Sequence, residues 1–250
     1  MKPQPAPALH GPALAVAAVR SAVTYVVISL YAILAGPPGL LLASLFGWVD
    51  ILYVLARNGV ALGLATAGIG YRVEGRERLP HGGAAVYCAN HESNVDAPLL
   101  FLTLHRRMRL LFKSEFRKVP ILGRACVLGG FIPVERRNPE QSMWAVDEAA
   151  RAITRGESFL VFPEGTRTRT GELLPFKKGP FIMAIKAQVP VVPVAIRGGR
   201  AAMAKGSAII RPVTVHVRVG DPVPTTGLTL EDRDALGAEV RRRIEALIEN

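Results

Sequence analysis

A stretch without charge near the amino terminus constrains the fold of this chain more than any other feature. No residue at positions 22–49 is charged, and about 20 apolar residues can cross a bilayer as one helix. The sequence Gly-Pro-Pro-Gly at 36–39 interrupts the stretch, and paired prolines between glycines are expected to break a helix. Residues 22–35 would then form only about 21 Å of helix, shorter than the ~30 Å hydrocarbon core. We therefore predict two helices, roughly residues 14–35 and 38–57, in a hairpin sunk part-way into one leaflet; a kinked spanning helix is the alternative.

The remainder of the chain alternates between short apolar runs and patterns with helical spacing. This alternation predicts an α/β domain, with a largely parallel central sheet flanked by helices. The predicted strands are residues 71–75, 84–87, 108–112, 127–134, 159–162, 191–196 and 213–219. The predicted helices of this domain are residues 93–104, 139–154, 180–187 and 230–248, with a weaker helical segment at 57–70. We divide the chain into a disordered tail (1–12), a membrane-associated helical segment (13–70) and the α/β domain (71–250).

The net charge of +11 falls almost entirely after position 50. Its densest part is a basic cluster at positions 106–124, which suits an anionic membrane, a phosphate-bearing ligand or nucleic acid. Aromatic residues do not alternate with these cations, which argues against single-stranded nucleic acid. Cys88 and Cys126 match no metal or redox motif, so we expect no metal centre.

The candidate base is His91, which directly follows the predicted strand at 84–87 and precedes Asp96 by five positions. Ser93 is a candidate cap for the helix that follows. A strand end that leads into a helix start is a common place for chemistry in α/β folds, so His91 would face a ligand at the rim of the sheet. The alternative is a capped turn with an exposed histidine. We expect Glu92 to be exposed.

Cationic residues recur at other predicted strand and helix ends. Arg136 ends one such stretch, the sequence Phe-Pro-Glu-Gly-Thr-Arg at 162–167 presents Glu164 and Arg167, and Lys177 stands at a helix start. Guanidinium groups and a helix amino terminus suit a phosphate group. Each stretch alone is also compatible with a solvated turn, but several at the ends of one sheet indicate an anion-binding site.

These stretches together resemble the ordered motif blocks of the glycerolipid acyltransferases, whose best known members act on 1-acylglycerol 3-phosphate. The blocks are Asn90-His91 with Asp96, Lys113-Ser114-Glu115-Phe116 with Pro120 and Gly123, residues 130–136, residues 162–167, and Val192-Pro193-Val194. The resemblance covers about residues 84–196. It implies a glycerol-3-phosphate-acyltransferase-like fold, a donor that is acyl-CoA or acyl carrier protein, no metal or other cofactor, and the cytoplasmic face of the inner membrane. It also implies that Glu164, Gly165 and Thr166 line the acceptor site.

The residues support this chemistry independently of the resemblance. An acyl thioester is already activated, and the sequence lacks the Gly-x-Ser-x-Gly motif that would supply a nucleophilic serine. A base that works near neutral pH is required, and an imidazole has an unperturbed pKa of about 6.5. We predict that His91 is this base and that Asp96 orients it. Arg136, Arg167 and Lys177 would bind the acceptor phosphate. Lys113 is a further candidate for substrate binding, with a structural ion pair to Glu115 as the alternative.

The predicted reaction is acyl transfer to the 2-hydroxyl of 1-acyl-sn-glycerol 3-phosphate, which forms phosphatidic acid. The expected partners are therefore a lysolipid acceptor, acyl-CoA or acyl carrier protein, and an anionic membrane, but no nucleic acid. Two alternatives stay open. One is transfer to another lysolipid, such as a lysophospholipid or a lyso-aminolipid, and the other is a non-enzymatic, membrane-bound basic binding protein.

Overall fold

In the computed structural model of this chain, residues 11–135 and 138–249 are described. The helices are α1 (Gly11–Phe46), α2 (Asp50–Ala67), α3 (Asp96–Thr103), α4 (Leu122–Leu128), α5 (Pro139–Thr154), α6 (Gly179–Ala187), α7 (Gly199–Ala202) and α8 (Arg233–Glu249). The strands are β1 (Gly70–Glu74), β2 (Val86–Ala89), β3 (Met108–Lys113), β4 (Ile132–Val134), β5 (Ser158–Val161), β6 (Val191–Arg197) and β7 (Thr214–Val219). Short 3-10 helices cover Arg76–Arg78, Ser114–Lys118 and Leu230–Asp232.

The predicted helix break at 36–39 is wrong, because α1 continues through both prolines to Phe46. Proline fixes φ near −65°, which a helix accepts, so its cost lies in the missing N–H and the clash with the preceding turn. The flanking glycines allow close packing instead of a break. A Cβ on Gly36 would collide with Ile121, and one on Gly39 would collide with Leu55. Contacts from other elements therefore hold the helix together where the local sequence favours a break.

Helix α1 is long and apolar enough to cross a membrane, judged by length and composition. Only 11% of its most apolar 18-residue segment is buried, unlike the core helix of a soluble protein.

Helix α2 follows a short turn at 47–49 and packs antiparallel to α1. It is capped at its carboxyl end by Gly68, which adopts the left-handed conformation. The segment at 57–70 that we predicted as a separate helix is therefore the second half of α2. Gly11 and Pro12, predicted to lie in the tail, begin α1, and residues 1–10 lie outside the described residues.

The seven strands form one sheet in the order β1-β7-β6-β2-β5-β3-β4. Every neighbouring pair is parallel except β6 and β7, so the predicted α/β class is confirmed in a mixed, mostly parallel form. Buried side chains alternate between the two faces, as in β2, where Tyr87 and Ala89 face one core and Val86 and Cys88 face the other. Helices α2 and α3 cover the first face, and α5, α6 and α8 cover the second.

The predicted strand at 127–134 is largely wrong. Residues up to Leu128 belong to α4, Gly130 adopts a φ of +77° that glycine tolerates, and only Ile132–Val134 is strand. A short apolar run does not distinguish a helix from a strand by its periodicity. The glycine pair at 129–130 marks the boundary between the two elements, because it allows the chain to turn between α4 and β4.

Candidate active site

His91 lies on the loop between β2 and α3, at the carboxyl end of the sheet. Its Nδ1 is 2.9 Å from Oδ2 of Asp96, the first residue of α3. The Asp96 side chain is fully buried, whereas the His91 side chain keeps 15% of its surface exposed. Because a carboxylate only accepts, Nδ1 of neutral His91 carries the proton and Nε2 keeps its lone pair. The exposed ring therefore presents a basic nitrogen at the rim of the sheet.

The same carboxylate also closes the loop around His91. Oδ2 of Asp96 accepts the backbone N–H groups of Glu92 and Ser93, each at 2.7 Å. We predicted Ser93 as the helix cap, but its hydroxyl accepts from Val95 and donates to the carbonyl of Met203. Asp96 therefore holds the loop from inside the helix, and Ser93 ties it to the segment after β6.

The His91 ring and backbone are further held by the segment after β5. The ring stacks on Phe162 with centroids 3.9 Å apart and planes at 17°. The His91 N–H donates to Oε1 of Glu164 at 2.7 Å, and the His91 carbonyl accepts from the N–H of Thr168 at 2.8 Å. The orientation of the imidazole is thus fixed from three sides, which is the preorganisation that a general base needs.

Glu164 is buried and bonded to backbone at both oxygens. Its Oε2 accepts the N–H of Leu174 at 2.9 Å, in addition to the bond to His91. Burial raises the pKa of this carboxyl, while the two backbone bonds and the nearby His91 lower it. These contacts join the His91 loop to residues 163–174. The role of Glu164 at the acceptor site stays a prediction.

The turn at 163–168 places the predicted anion-binding residues beside the His91 loop. Gly165 has a φ of +68°, which suits glycine, and the Lys177 side chain lies across it where a Cβ would sit. Arg167 is half-buried, and its Nη1 has no hydrogen-bond acceptor among the residues that the structure describes. Thr166 is exposed, and its hydroxyl accepts from Nζ of Lys205 at 3.1 Å. Arg167 thus belongs to the turn that contacts His91, and Lys177 packs against that turn.

Lys113 lies farther along the same edge. Parallel strands are about 4.8 Å apart, so Lys113 on β3 is two strands, roughly 10 Å, from the end of β2. Its Nζ pairs with Oε1 of Glu115 at 2.6 Å, and both side chains are about half exposed. Arg136 lies outside the described residues. The preceding residue, Glu135, accepts a hydrogen bond from Ser114 at 3.0 Å, which ties the ends of β3 and β4 together.

The segment after β6 contributes residues that our sequence analysis did not identify. A Cβ on Gly199 would collide with Oδ1 of Asp96, an atom that accepts no hydrogen bond within the described part of the chain. Lys205 donates to the carbonyl of Arg167 at 2.8 Å as well as to Thr166. The available signal was the Gly198-Gly199 pair directly after a strand, since β6 is parallel to β2 and ends at the same edge. This segment therefore contacts both the His91–Asp96 pair and the turn at 163–168.

Glu92 is half-buried, contrary to our expectation that it is exposed. Its Oε2 accepts the N–H of Arg200 at 3.2 Å. Burial raises the pKa of this carboxyl to about 7, the nearby carboxylates of Asp96 and Glu164 raise it further, and the N–H and charge of Arg200 lower it. Because the folded pKa lies above the ordinary value, Glu92 contributes stability that is full below about pH 4.5 and is lost as the pH rises through about 7.

We expect the Glu92→Gln variant to lack this pH dependence. A glutamine oxygen can accept the same N–H but does not ionise. The melting temperature of the wild type should therefore fall relative to that of the variant as the pH rises from about 4.5 through about 7. Thermal unfolding in detergent at several pH values measures the difference. A difference in melting temperature between the two proteins that stays constant across this pH range would contradict the burial of Glu92.

An apolar cavity of about 260 Å³ adjoins the loop that carries His91. Ala97 and Pro98, which follow Asp96 on α3, form part of its wall. Helices α2, α3 and α4, strand β3 and the loop between α4 and β4 supply the remainder, with Leu52, Tyr53, Ala56, Val60, Phe101, Leu110, Leu122, Ala125, Cys126, Gly129 and Phe131. The lining has almost no polar surface, so the cavity suits a hydrocarbon chain.

Comparisons with known proteins agree with the geometry. Residues 70–197 match the profile of the Acyltransferase family. The chain is 34% identical over 168 residues to a 1-acyl-sn-glycerol-3-phosphate acyltransferase of Limnanthes douglasii, covering 67% of this chain and 59% of that protein. It is 35% identical over 175 residues to the human 1-acyl-sn-glycerol-3-phosphate acyltransferase alpha, covering 70% of this chain and 62% of that protein. The chain thus spans less than two thirds of the length of these relatives.

A solved structure resembles nearly the whole chain. It is the crystal structure of the 1-acyl-sn-glycerophosphate (LPA) acyltransferase PlsC from Thermotoga maritima, with a TM-score of 0.78 and 25% identity. The superposition covers 94% of this chain and 98% of that chain. The similarity therefore includes the two amino-terminal helices as well as the α/β domain.

Proposed function

Since this chain belongs to the Acyltransferase family, we propose that it transfers an acyl group from a thioester donor to the 2-hydroxyl of 1-acyl-sn-glycerol 3-phosphate. The observation that carries the proposal is the 2.9 Å contact between His91 and Asp96. The turn at 163–168, which we call the cationic turn, is bonded to the same loop, because the Thr168 N–H donates to the His91 carbonyl. The names of the similar proteins support this acceptor. The donor is acyl-CoA or acyl carrier protein.

The proposed reaction begins with proton transfer. Nε2 of His91 takes the proton of the acceptor hydroxyl as its oxygen attacks the thioester carbonyl. Asp96 stabilises the imidazolium that forms, since its carboxylate accepts from Nδ1. The tetrahedral intermediate collapses when the carbon–sulfur bond breaks, and the departing thiolate receives the proton from Nε2. The products are the diacylated phosphate and a free thiol, and His91 returns to its starting state.

The acceptor phosphate binds at the cationic turn. Arg167 lies on the turn that is bonded to the His91 loop, and Lys177 packs across that turn. A guanidinium and an ammonium group both form charge-assisted hydrogen bonds to a phosphate. Lys113, at the end of β3, would leave its pair with Glu115 to contribute, and we keep Arg136 as a further predicted phosphate ligand. Glu164, Gly165 and Thr166 shape the turn that receives the glycerol. An acyl chain extends into the apolar cavity beside α3.

The position of α1 supports attachment to a membrane surface over spanning. Ser21 of α1 exchanges hydrogen bonds with Ile210 of the α/β domain, and Gly36, about 22 Å farther along the helix, packs against Ile121. A helix in contact with the domain at both points lies along it. With its exposed apolar face in one leaflet, α1 would hold the catalytic rim at the bilayer surface, and we propose the cytoplasmic face of the membrane.

Arg167→Gln tests the assignment of the acceptor. We expect the wild type to acylate 1-acylglycerol 3-phosphate far better than the phosphate-free 1-acylglycerol. The variant should lose about ten- to hundredfold in kcat/KM on the phosphate acceptor, because a hydrogen bond to a charged group contributes about 1.5–3 kcal/mol. Its activity on the phosphate-free acceptor should change little. Labelled acyl-CoA with both acceptors and a panel of other lysolipids provides the measurement.

Arg151→Gln is the matched control, because Arg151 is exposed on α5 and pairs with Glu148. It should behave as the wild type on every acceptor. Strong wild-type activity only on phosphate-free acceptors would refute the acceptor assignment, and preference for another lysolipid would favour that alternative. Absence of transfer with every donor and acceptor would favour a binding protein.

A further inference from the structure

A surface next to the catalytic rim combines exposed apolar side chains with exposed cations. It consists of the 3-10 helix Ser114–Lys118, α4 and the turn between them, which we call the 114–128 surface. Phe116 and Leu122 are each 50% exposed, and Val127 is 49% exposed. Gly123 fixes the two helices as one unit, because a Cβ there would collide with the Arg117 carbonyl. The apolar exposure is therefore a property of a packed element.

The cations of this surface are Arg117, Lys118 and Arg124, and all three are exposed. None of them forms an ion pair with another residue in 11–135 or 138–249. By contrast, the nearby Lys113 pairs with Glu115 and Arg109 pairs with Glu157. The surface thus carries three uncompensated positive charges beside exposed apolar groups.

The surface is joined to the exposed face of α1 through Ile121. This residue has φ +64° and ψ −62°, and the Leu122 N–H donates to the Pro120 carbonyl at 2.6 Å. That is a γ-turn, which a β-branched residue rarely adopts. It directs Ile121 onto Gly36 of α1. Ile33, three residues before Gly36 and therefore on the same side of α1, is 58% exposed, so exposed apolar side chains continue from α4 to α1.

The inner side of α4 faces the apolar cavity. Ala125 and Cys126 line it, and Leu122 both lines it and reaches the outer surface. Phe116 and Val119 are exposed and do not line the cavity. Helix α4 is therefore the wall that separates the cavity from whatever covers the outer surface.

We propose that the 114–128 surface docks on an anionic phospholipid bilayer, as an element of membrane binding separate from the apolar helices. Phe116 and Val119 enter the boundary between headgroups and acyl chains, and Arg117, Lys118 and Arg124 bind the anionic headgroups. Elements that bind at the membrane interface combine exposed apolar side chains with neighbouring cations. An acidic protein partner would account for the cations but not for the exposed apolar side chains. Docking places the wall of the cavity against the lipid. The proposal does not depend on the chemistry at His91.

Vesicle binding by the full chain tests this proposal. Vesicles are made of phosphatidylcholine alone or with phosphatidylglycerol added, and bound protein is separated by flotation. We expect the triple variant Arg117→Gln, Lys118→Gln, Arg124→Gln to bind anionic vesicles roughly a hundredfold more weakly, since each cation contributes about fivefold. Its binding to neutral vesicles, through α1, should equal that of the wild type, and added salt should narrow the difference between the proteins.

The matched control is the triple variant Arg151→Gln, Arg155→Gln, Arg242→Gln, which loses the same net charge from α5 and α8 on the opposite face of the sheet. It should retain strong binding to anionic vesicles. The apolar pair Phe116→Ser, Val119→Ser should weaken binding to both kinds of vesicle, and Met143→Ser on α5, also exposed, should not. Thermal unfolding checks that each variant is folded.

Equal binding of wild type and the first triple variant to anionic vesicles would overturn the proposal. So would loss of binding to an acidic acyl carrier protein by that variant while vesicle binding stays intact, because the surface would then serve the donor. Acyl transfer to a detergent-dispersed acceptor should persist in the triple variant. If the wild type itself shows no transfer, the proposed function fails while the vesicle result still stands.

Discussion

Replacement of His91 by alanine is expected to lower kcat by ~10²–10⁴-fold, the range that a positioned general base supplies. The imidazole is the group with a free basic nitrogen at the rim, and Asp96, buried behind it, cannot reach a substrate in its place. The fold should persist, since Asp96 keeps its bonds to the N–H groups of Glu92 and Ser93. Transfer of labelled acyl groups to 1-acylglycerol 3-phosphate, at saturating donor, is the measurement.

His216→Ala is the control for this experiment. His216 lies on β7, paired in register with Arg72 and Arg197, and is not part of the site. Its variant should show wild-type kcat. A His91→Ala protein with wild-type kcat would mean that the proton leaves by another route, and the proposed mechanism would have to be abandoned. Loss of binding to the acceptor with unchanged kcat would instead make His91 a binding residue.

Gly199→Ala is expected to lower kcat about a hundredfold although Gly199 touches no substrate. Its φ lies outside the left-handed region, so the backbone conformation accommodates alanine. What is missing is space for the Cβ atom. The new Cβ would collide with Oδ1 of Asp96 and stand 3.3 Å from Cβ of Ser93. Asp96 would have to move and would take His91 with it, and a displacement of about 1 Å at a catalytic group can cost ~10²-fold.

The separation of kcat from KM distinguishes this positioning role from a general loss of structure. The KM for the lysolipid should stay close to the wild-type value, because the atoms nearest to a Cβ at Gly199 belong to Asp96 and Ser93 and not to Arg167 or Lys177. Gly82→Ala is the matched control, since a Cβ at Gly82 meets no atom within 4 Å. Wild-type kcat in Gly199→Ala would show that Asp96 tolerates displacement. An equal fall in kcat for both glycine variants would point to folding.

The contact between His91 and Asp96 could be predicted from the sequence because its signal is local. A strand end, a histidine and an aspartate five positions later lie in one short stretch, and the structure joins them at 2.9 Å. The bounds of helix α5 are also as predicted, since Asn138 caps it and Pro139 opens it. The same approach failed at the helix break at 36–39 and at Glu92. In both cases the outcome depends on residues distant in the chain, Ile121 in one and Arg200 in the other.

Periodicity and spacing alone therefore determined the α/β class, the apolar amino-terminal segment and the stretches that meet at one sheet edge, because parallel strands bring their carboxyl ends together. The tertiary structure decided how those stretches support one another. Arg200 lies 108 positions from Glu92, and Gly199, Lys205 and the apolar cavity acquire their roles only when separate segments pack. Such contacts depend on how the shapes of distant segments fit together and on the exclusion of water between them. Local sequence patterns contain no information on either.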